Sequence, residues 1–378
     1  MGSYSDNMAA KSVEYSTSKA VYHTERISEL QKSNPIIPTE LQIDLEAFCN
    51  DNCSFCSYRK EDGYNKNMLD LIDGSPSTTN KPIGRPSDES RIPDDILLDL
   101  PRQMIEAGIP AIEITGGGEP TLHPKFKPFY KALGEREIDI GLVTNGSKLD
   151  DEVISLILQY GLWIRISMDS SNPDTHRDIH RTGGFDFERR LNNVKTLAAL
   201  KSKDLTLGIS FIITPQNIYD IEDSAHLYKE IGVDHIRFSW MYDQQGTAGL
   251  EKDQIADIAE LIPKLQDELN DDNFQVFNEQ NRIQLYTAKN DFKKCYYQRF
   301  VMAVGADAGC YPCCIMKYNK KYQYANLKES SLAQIVQSMN THDFMNKLNP
   351  ESCYPCWIRP RNDSIAKAVE KPTHHNFI

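Results

Sequence analysis

The stretch LQIDLEAFCNDNCSFCSY, residues 41–58, organises the reading of the whole chain. Its first half, LQIDL, is a short apolar run of strand length, and three cysteines follow it directly: Cys49, Cys53 and Cys56. The same succession, a short apolar strand and then an amphipathic helical stretch, continues downstream. Further strands are expected at AIEIT (111–115), IDIGLVT (138–144), 163–168, 205–213 and 235–240, and helices at 94–107, 125–134, 150–160, 185–201, 218–231 and 251–269. Six strand-then-helix units require parallel strands with right-handed crossovers, hence a doubly wound sheet or a partial βα barrel. Both architectures place chemistry at the C-terminal strand ends, where Cys49, Gly117 and Asn145 follow the first three strands.

Composition sets the outer bounds. The 378 residues are 40% apolar and 25% charged, enough for two to three domains at about 150 residues each, with no run long enough to span a bilayer. With 42 Lys and Arg against 54 Asp and Glu, the net charge of −12 disfavours nucleic acid as a partner. The first nineteen residues lack the succession of a secretory signal, so a cytoplasmic, reducing location is expected, and no membrane partner. Nine cysteines there point to metal or catalysis rather than disulfides. They fall into two groups, the first three and then Cys295, Cys310, Cys313, Cys314, Cys353 and Cys356.

Two segments break the βα rhythm. Residues 61–91, rich in Ser, Asn, Pro and Gly, exceed an ordinary βα loop and read as an insertion or substrate lid. After about residue 270 the pattern stops, a hairpin is expected over 300–314 and a short helix over 331–340. The expected organisation is an N-terminal extension at 1–40, a partial barrel at 41–270 containing the insertion, and a second domain at 271–378.

Cys49, Cys53 and Cys56 form Cys-x3-Cys-x2-Cys, a spacing that wraps three thiolates of one loop around a single iron–sulfur cluster and leaves one iron open. An open iron implies an exchangeable ligand and therefore catalysis. The alternative is a zinc site completed by a distant residue.

CNDNCSFCSY, with Phe55 just before the last cysteine, resembles the cluster loop of the radical S-adenosylmethionine (SAM) superfamily. The resemblance implies a partial (β/α)6 TIM-like barrel and a [4Fe-4S] cluster whose open iron chelates SAM. An injected electron then splits SAM into methionine and a 5′-deoxyadenosyl radical. It also implies the cofactor contacts. Gly117, Gly118 and Glu119 of TGGGEP resemble the family's Gly-Gly-Glu motif for the methionyl amino group, and Asn145 stands at the third strand end. Ser167 and Asp169, on alternate strand positions, suit the ribose and an ammonium group, with helix capping as the alternative. Arg181 resembles an arginine that pairs with the cofactor carboxylate, with Arg165, His176 and His180 as rivals.

The second cysteine group resembles the superfamily's smaller C-terminal α+β SPASM/twitch extension, which binds auxiliary clusters. Six cysteines fit one fully ligated auxiliary [4Fe-4S] cluster better than two, with Cys295, Cys313, Cys353 and Cys356 as ligands. Cys310 competes with Cys313, because Gly305 precedes it at the family's spacing. Cys313 and Cys314 as strand neighbours would point to opposite faces and not share a cluster. Cys310 or Cys314 is left as a candidate hydrogen donor, against a plain packing role.

The implied activity is radical oxidation or epimerisation of a small polar metabolite, sugar or aminocyclitol-like. About forty residues before the first strand are too few for a peptide-recognition domain, although peptide maturation is the alternative. An electron donor such as flavodoxin or ferredoxin is implied. A reading of another class, a non-catalytic iron–sulfur electron carrier, would have no use for TGGGEP or RISMDSS.

Overall fold

Six consecutive βα units lie side by side in one sheet, in chain order. The computed structural model describes residues 18–56, 58, 91–182, 186–241, 248–278, 285, 288–341, 348–353 and 355–370. The expected insertion falls outside these residues except for Arg91, which makes an isolated antiparallel bridge to Glu46. Strands β1 (Glu40–Asp44), β2 (Ala111–Thr115), β3 (Asp139–Thr144), β4 (Gly161–Ser167), β5 (Thr206–Ile213) and β6 (His235–Trp240) pair in parallel, each with its successor. The helices are α1 (Thr24–Gln31), α2 (Asp94–Ala107), α3 (Phe126–Gly134), α4 (Asp151–Tyr160), α5 (Pro173–His180), α6 (Asp186–Leu200), α7 (Ile221–Ile231), α8 (Lys252–Leu269), α9 (Tyr297–Phe300), α10 (Leu332–Thr341) and α11 (Arg359–Val369). The architecture is that of a partial TIM-like barrel carrying a smaller C-terminal domain.

Period and capping explain the local choices. In α2, Leu97, Leu100 and Met104 recur at helical spacing and are wholly buried, Asp94 and Asp95 occupy the first turn, and Gly108 at φ +75° ends it. The Asp150 carboxylate caps α4 by accepting from Val153 N at 2.9 Å. Along β1, Leu41 and Ile43 join the main apolar core, while the Gln42 amide on the other face donates to Glu113 at 3.1 Å. Each fully buried Leu, Ile or Phe of that core contributes about 1.5–3 kcal/mol.

Three features go beyond the sequence pattern. A seventh parallel strand, β7 (Gln275–Asn278), pairs with β6 past the end of the sixth unit. The expected hairpin forms from β8 (Val301–Val304) and β9 (Gly309–Tyr311), with β10 (Ala325–Asn326) beside β9. Strand β8 also lies parallel to β1, so the cysteine-rich C-terminal segment continues the barrel sheet, in the order β10-β9-β8-β1-β2-β3-β4-β5-β6-β7. A second apolar core joins Ile27 and Ile36 of the N-terminal segment to Phe300, Ile315, Met316, Ile358 and Ile365. Helix α5 is the third: Asn172 caps it by accepting from Thr175 N at 3.0 Å, and Pro173 opens it. Its buried residues are only Ile179, His176 and His180, which left no apolar stripe to read.

Candidate active site

The loop after β1 is built by contacts with its two neighbours. On one side, Gly118 N donates to Glu46 O and Glu119 N to Phe48 O, both at 2.9 Å, so the TGGGEP loop continues the β1–β2 pairing up to Cys49. The chains approach so closely that a Cβ on Gly118 would sit 2.0 Å from Phe48 O. On the other side, Asn52 N and Ser54 N donate to His180 O and Ile179 O, the last carbonyls of α5, at 3.0 and 2.9 Å. Phe55 meets the His180 ring edge-on, with centroids 6.3 Å apart.

The expected cofactor residues divide into two kinds. Glu119 is buried, and its Oε1 accepts from Thr121 N (3.0 Å), Thr121 Oγ1 (2.6 Å) and Thr144 Oγ1 (2.7 Å), its Oε2 from Asn145 N (2.7 Å). Burial raises its carboxyl, and these donors pull against that. It fastens the second and third strand ends together. Asn145 directs its amide to Asn50 Oδ1 at 3.0 Å and to Cys49 Sγ at 3.8 Å. Asp169, wholly buried at φ +56°, accepts from Ile212 N at 2.6 Å and lies 3.2 Å from His180 Nε2, so this carboxylate serves the protein instead of reaching out to a ribose. Ser167 and Gly118 are partly accessible, and Arg181 is exposed at the end of α5, at φ +52°. Of the rivals to Arg181, His176 and His180 are buried and stack on each other with ring centroids 4.3 Å apart.

Cys49, Cys53 and Cys56 are all partly buried. Burial above all, then the charges of Asp51, Cys53 and Glu119, pushes the Cys49 thiol well above its ordinary value, so without a metal it stays protonated. Iron would reverse that balance. Among the described residues, the set of three or more ligand-type groups with donor atoms within 4.8 Å of one another is Asp51, Cys53 and His180. The three loop sulfurs are spread more widely, whereas sulfurs on one tetrahedral zinc would stand about 3.8 Å apart. The donor set fits a cluster better than a single zinc ion.

Three segments converge at the second group. Cys295, Cys313, Cys314, Cys353 and Cys356 pack against the second apolar core. Burial raises the Cys295 thiol to about 11 and those of Cys353 and Cys356 to about 12, and burial first, then the charges of Cys314, Cys295 and Cys356, raises that of Cys313. Five thiols are enough for a protein-ligated iron–sulfur cluster. Cys310 is elsewhere: fully buried in β9, it belongs to the main core beside Asp307 and Tyr324. The expected separation of Cys313 and Cys314 onto opposite strand faces does not occur. The strand ends at Tyr311 and Cys314 opens a 3₁₀ turn, so β alternation no longer applies.

The sequence reading missed two buried polar assemblies. Asp51, inside the cysteine loop, pairs with Arg190 of α6 and His180 of α5. Asp44, at the end of β1, accepts from Lys317 Nζ at 2.5 Å and Tyr318 Oη at 2.7 Å, and both Asp44 and Lys317 are wholly buried. Asp51 was detectable as an acid between ligands. Arg190 and Lys317 carry no local signal.

Comparison with known proteins places this geometry. The family model described as the Radical SAM superfamily matches residues 16–228, more than half of the chain, and a second, the SPASM iron–sulfur cluster-binding domain, matches 295–357. A SAM-dependent nucleotide dehydratase of Flammeovirga pacifica is 26% identical over 51% of this chain and 59% of its own length. A GTP 3′,8-cyclase of Desulforamulus reducens is 34% identical over 35% of this chain and 40% of its own. The matches thus span 59% or less of these curated relatives. The fold is similar to that of SuiB from Streptococcus suis, at a TM-score of 0.59 and 16% identity, over 83% of this chain and 69% of that one; SuiB is also solved bound to its precursor peptide SuiA. No helix among the described residues is long and apolar enough to cross a membrane.

Proposed function

The chain belongs to the radical SAM superfamily, with a SPASM domain, and on that premise we propose that it oxidises or epimerises a small polar metabolite, sugar or aminocyclitol-like. The family's cofactors are SAM and a [4Fe-4S] cluster, and the SPASM domain brings auxiliary iron–sulfur binding. When bound, the first cluster and SAM supply a 5′-deoxyadenosyl radical for hydrogen abstraction, and the auxiliary cluster supplies an electron acceptor. The observation that carries the reading is the thiol tripod of Cys49, Cys53 and Cys56, hydrogen-bonded through Phe48 to the glycine loop at 117–119.

The chain's own residues have these tasks. The tripod holds the first cluster, and Cys295, Cys313, Cys353 and Cys356 hold the auxiliary one, with Cys314 beside them. The backbone carbonyls at Gly117 and Gly118 suit the methionyl amino group, with Glu119 fixing that loop from behind. Arg181, exposed where the loop docks on α5, suits a carboxylate. The Ser167 hydroxyl suits the ribose. A small polar substrate draws support from the nucleotide-directed names of the curated relatives. A second reading, modification of a ribosomal peptide, draws on SuiB, which shares the fold and is solved with a peptide.

The test is anaerobic reconstitution with iron and sulfide, then dithionite and SAM. Formation of 5′-deoxyadenosine is expected, with deuterium transferred into it from labelled sugars or aminocyclitols. A fully loaded protein that makes none would sink the enzyme reading and favour the electron carrier. Deuterium arriving only from peptides would replace the first reading by the second.

A further inference from the structure

Beneath the cysteine loop lies a buried charged assembly that neither cluster ligation nor SAM binding accounts for. Arg190, wholly buried in α6, sets both terminal nitrogens on Asp51, Nη1 to Oδ2 at 2.9 Å and Nη2 to Oδ1 at 2.6 Å, and also pairs with Asp186. Asp51 Oδ2 lies 3.2 Å from His180 Nδ1, which in turn stands 3.3 Å from Cys53 Sγ. On its far side, His180 Nε2 lies 3.2 Å from Met168 O and 3.2 Å from Asp169 Oδ2. Nδ1 faces two acceptors, the Asp51 carboxylate and the Cys53 sulfur, so a hydrogen on Nδ1 points between them.

Asp51, Cys53 and His180 are close enough together to invite a cation. The guanidinium already occupies both Asp51 oxygens, so the group is a hydrogen-bond relay and not a second metal site. Charges buried this deeply persist only when fully partnered. Here both Arg190 terminal nitrogens and both Asp51 oxygens are paired, and the contacts run on through His180 to one sulfur of the tripod. Cys49 receives its own donors, Asp51 N at 3.4 Å and Asn145 Nδ2 at 3.8 Å.

We propose that His180, held by Asp51 and Arg190, is a positioning residue that donates a hydrogen bond to the Cys53 sulfur and so raises the reduction potential of the cluster on that loop. The inference rests on the cluster assignment proposed above. Reduction adds negative charge to a cluster, and donors to its sulfurs stabilise the reduced form more than the oxidised one.

The experiment is an EPR-monitored redox titration of the full, anaerobically reconstituted chain, with the relevant signal identified by its change on adding SAM. Three variants are compared. H180F, which removes the donor, is expected to lower the reduced-to-oxidised ratio at fixed poise about tenfold, equivalent to about 59 mV for a one-electron couple. H180N, which returns an amide donor, recovers most of the shift. R190M touches no thiol and shifts the midpoint the same way. Loss of the cluster in H180F that H180N restores also supports the proposal. Wild-type midpoints in H180F and R190M overturn it, as does a wild-type midpoint in R190M where H180F holds no cluster. A wild-type signal indifferent to SAM overturns the functional reading instead, and is seen in the unsubstituted chain alone.

Discussion

Replacing Lys317 by Met tests the contact that ties the two cysteine-bearing segments together. Lys317 follows Cys314 by three residues and Asp44 precedes Cys49 by five, and their ion pair is fully buried. Removing the ammonium leaves Asp44 in the interior with the Tyr318 hydroxyl, at 2.7 Å, as its remaining side-chain partner among the described residues. Breaking one side of a buried pair costs about 3–5 kcal/mol, and the single Tyr318 bond offsets about 1 kcal/mol of that. A loss of about 2–4 kcal/mol is expected for K317M, read from urea transitions of the iron-free, reduced chain followed by circular dichroism. The double variant D44N/K317M has no orphaned charge and should return to within about 1.5 kcal/mol of wild type, so that the cycle completed by D44N is strongly non-additive. K317M within about 0.5 kcal/mol of wild type, with no coupling in the cycle, would refute the claim that this pair is desolvated and structural.

G118A, whose Cβ would sit 2.0 Å from Phe48 O, should displace the cluster loop; SAM affinity by calorimetry is expected to fall at least about tenfold, and an unchanged value would contradict the close approach. C313S should lose about four irons per chain by colorimetric assay, while C310S, whose thiol sits in the main core, should keep its iron; equal losses would contradict the grouping. Burial, then Arg165 and Arg237, pushes the His235 imidazole down to about 3 from 6.5. The unfolded chain therefore binds a proton that the folded chain refuses, so this group's contribution is intact above pH 6.5 and is lost as pH falls toward about 3, by on the order of 5 kcal/mol. The acid limb of stability against pH should flatten in H235Q, and an unaltered limb would count against the burial argument.

The strand and helix periods from β1 to α8, with α5 excepted, and the order of Cys-x3-Cys-x2-Cys before TGGGEP, were determined by the sequence alone. Such features are local: period, cap and spacing act within one turn or one strand, and they express themselves wherever the chain goes. Packing decided the rest. Which later cysteines meet depended on where β9 ends and a 3₁₀ turn begins, a matter of one residue that moves a thiol from one face to the other. Asp51 finds Arg190 across 139 residues and Asp44 finds Lys317 across 273, and nothing near either residue announces its partner. Those pairs form because burial forces each charge to find its complement wherever the sheet order brings one, and sheet order is a property of the folded chain as a whole.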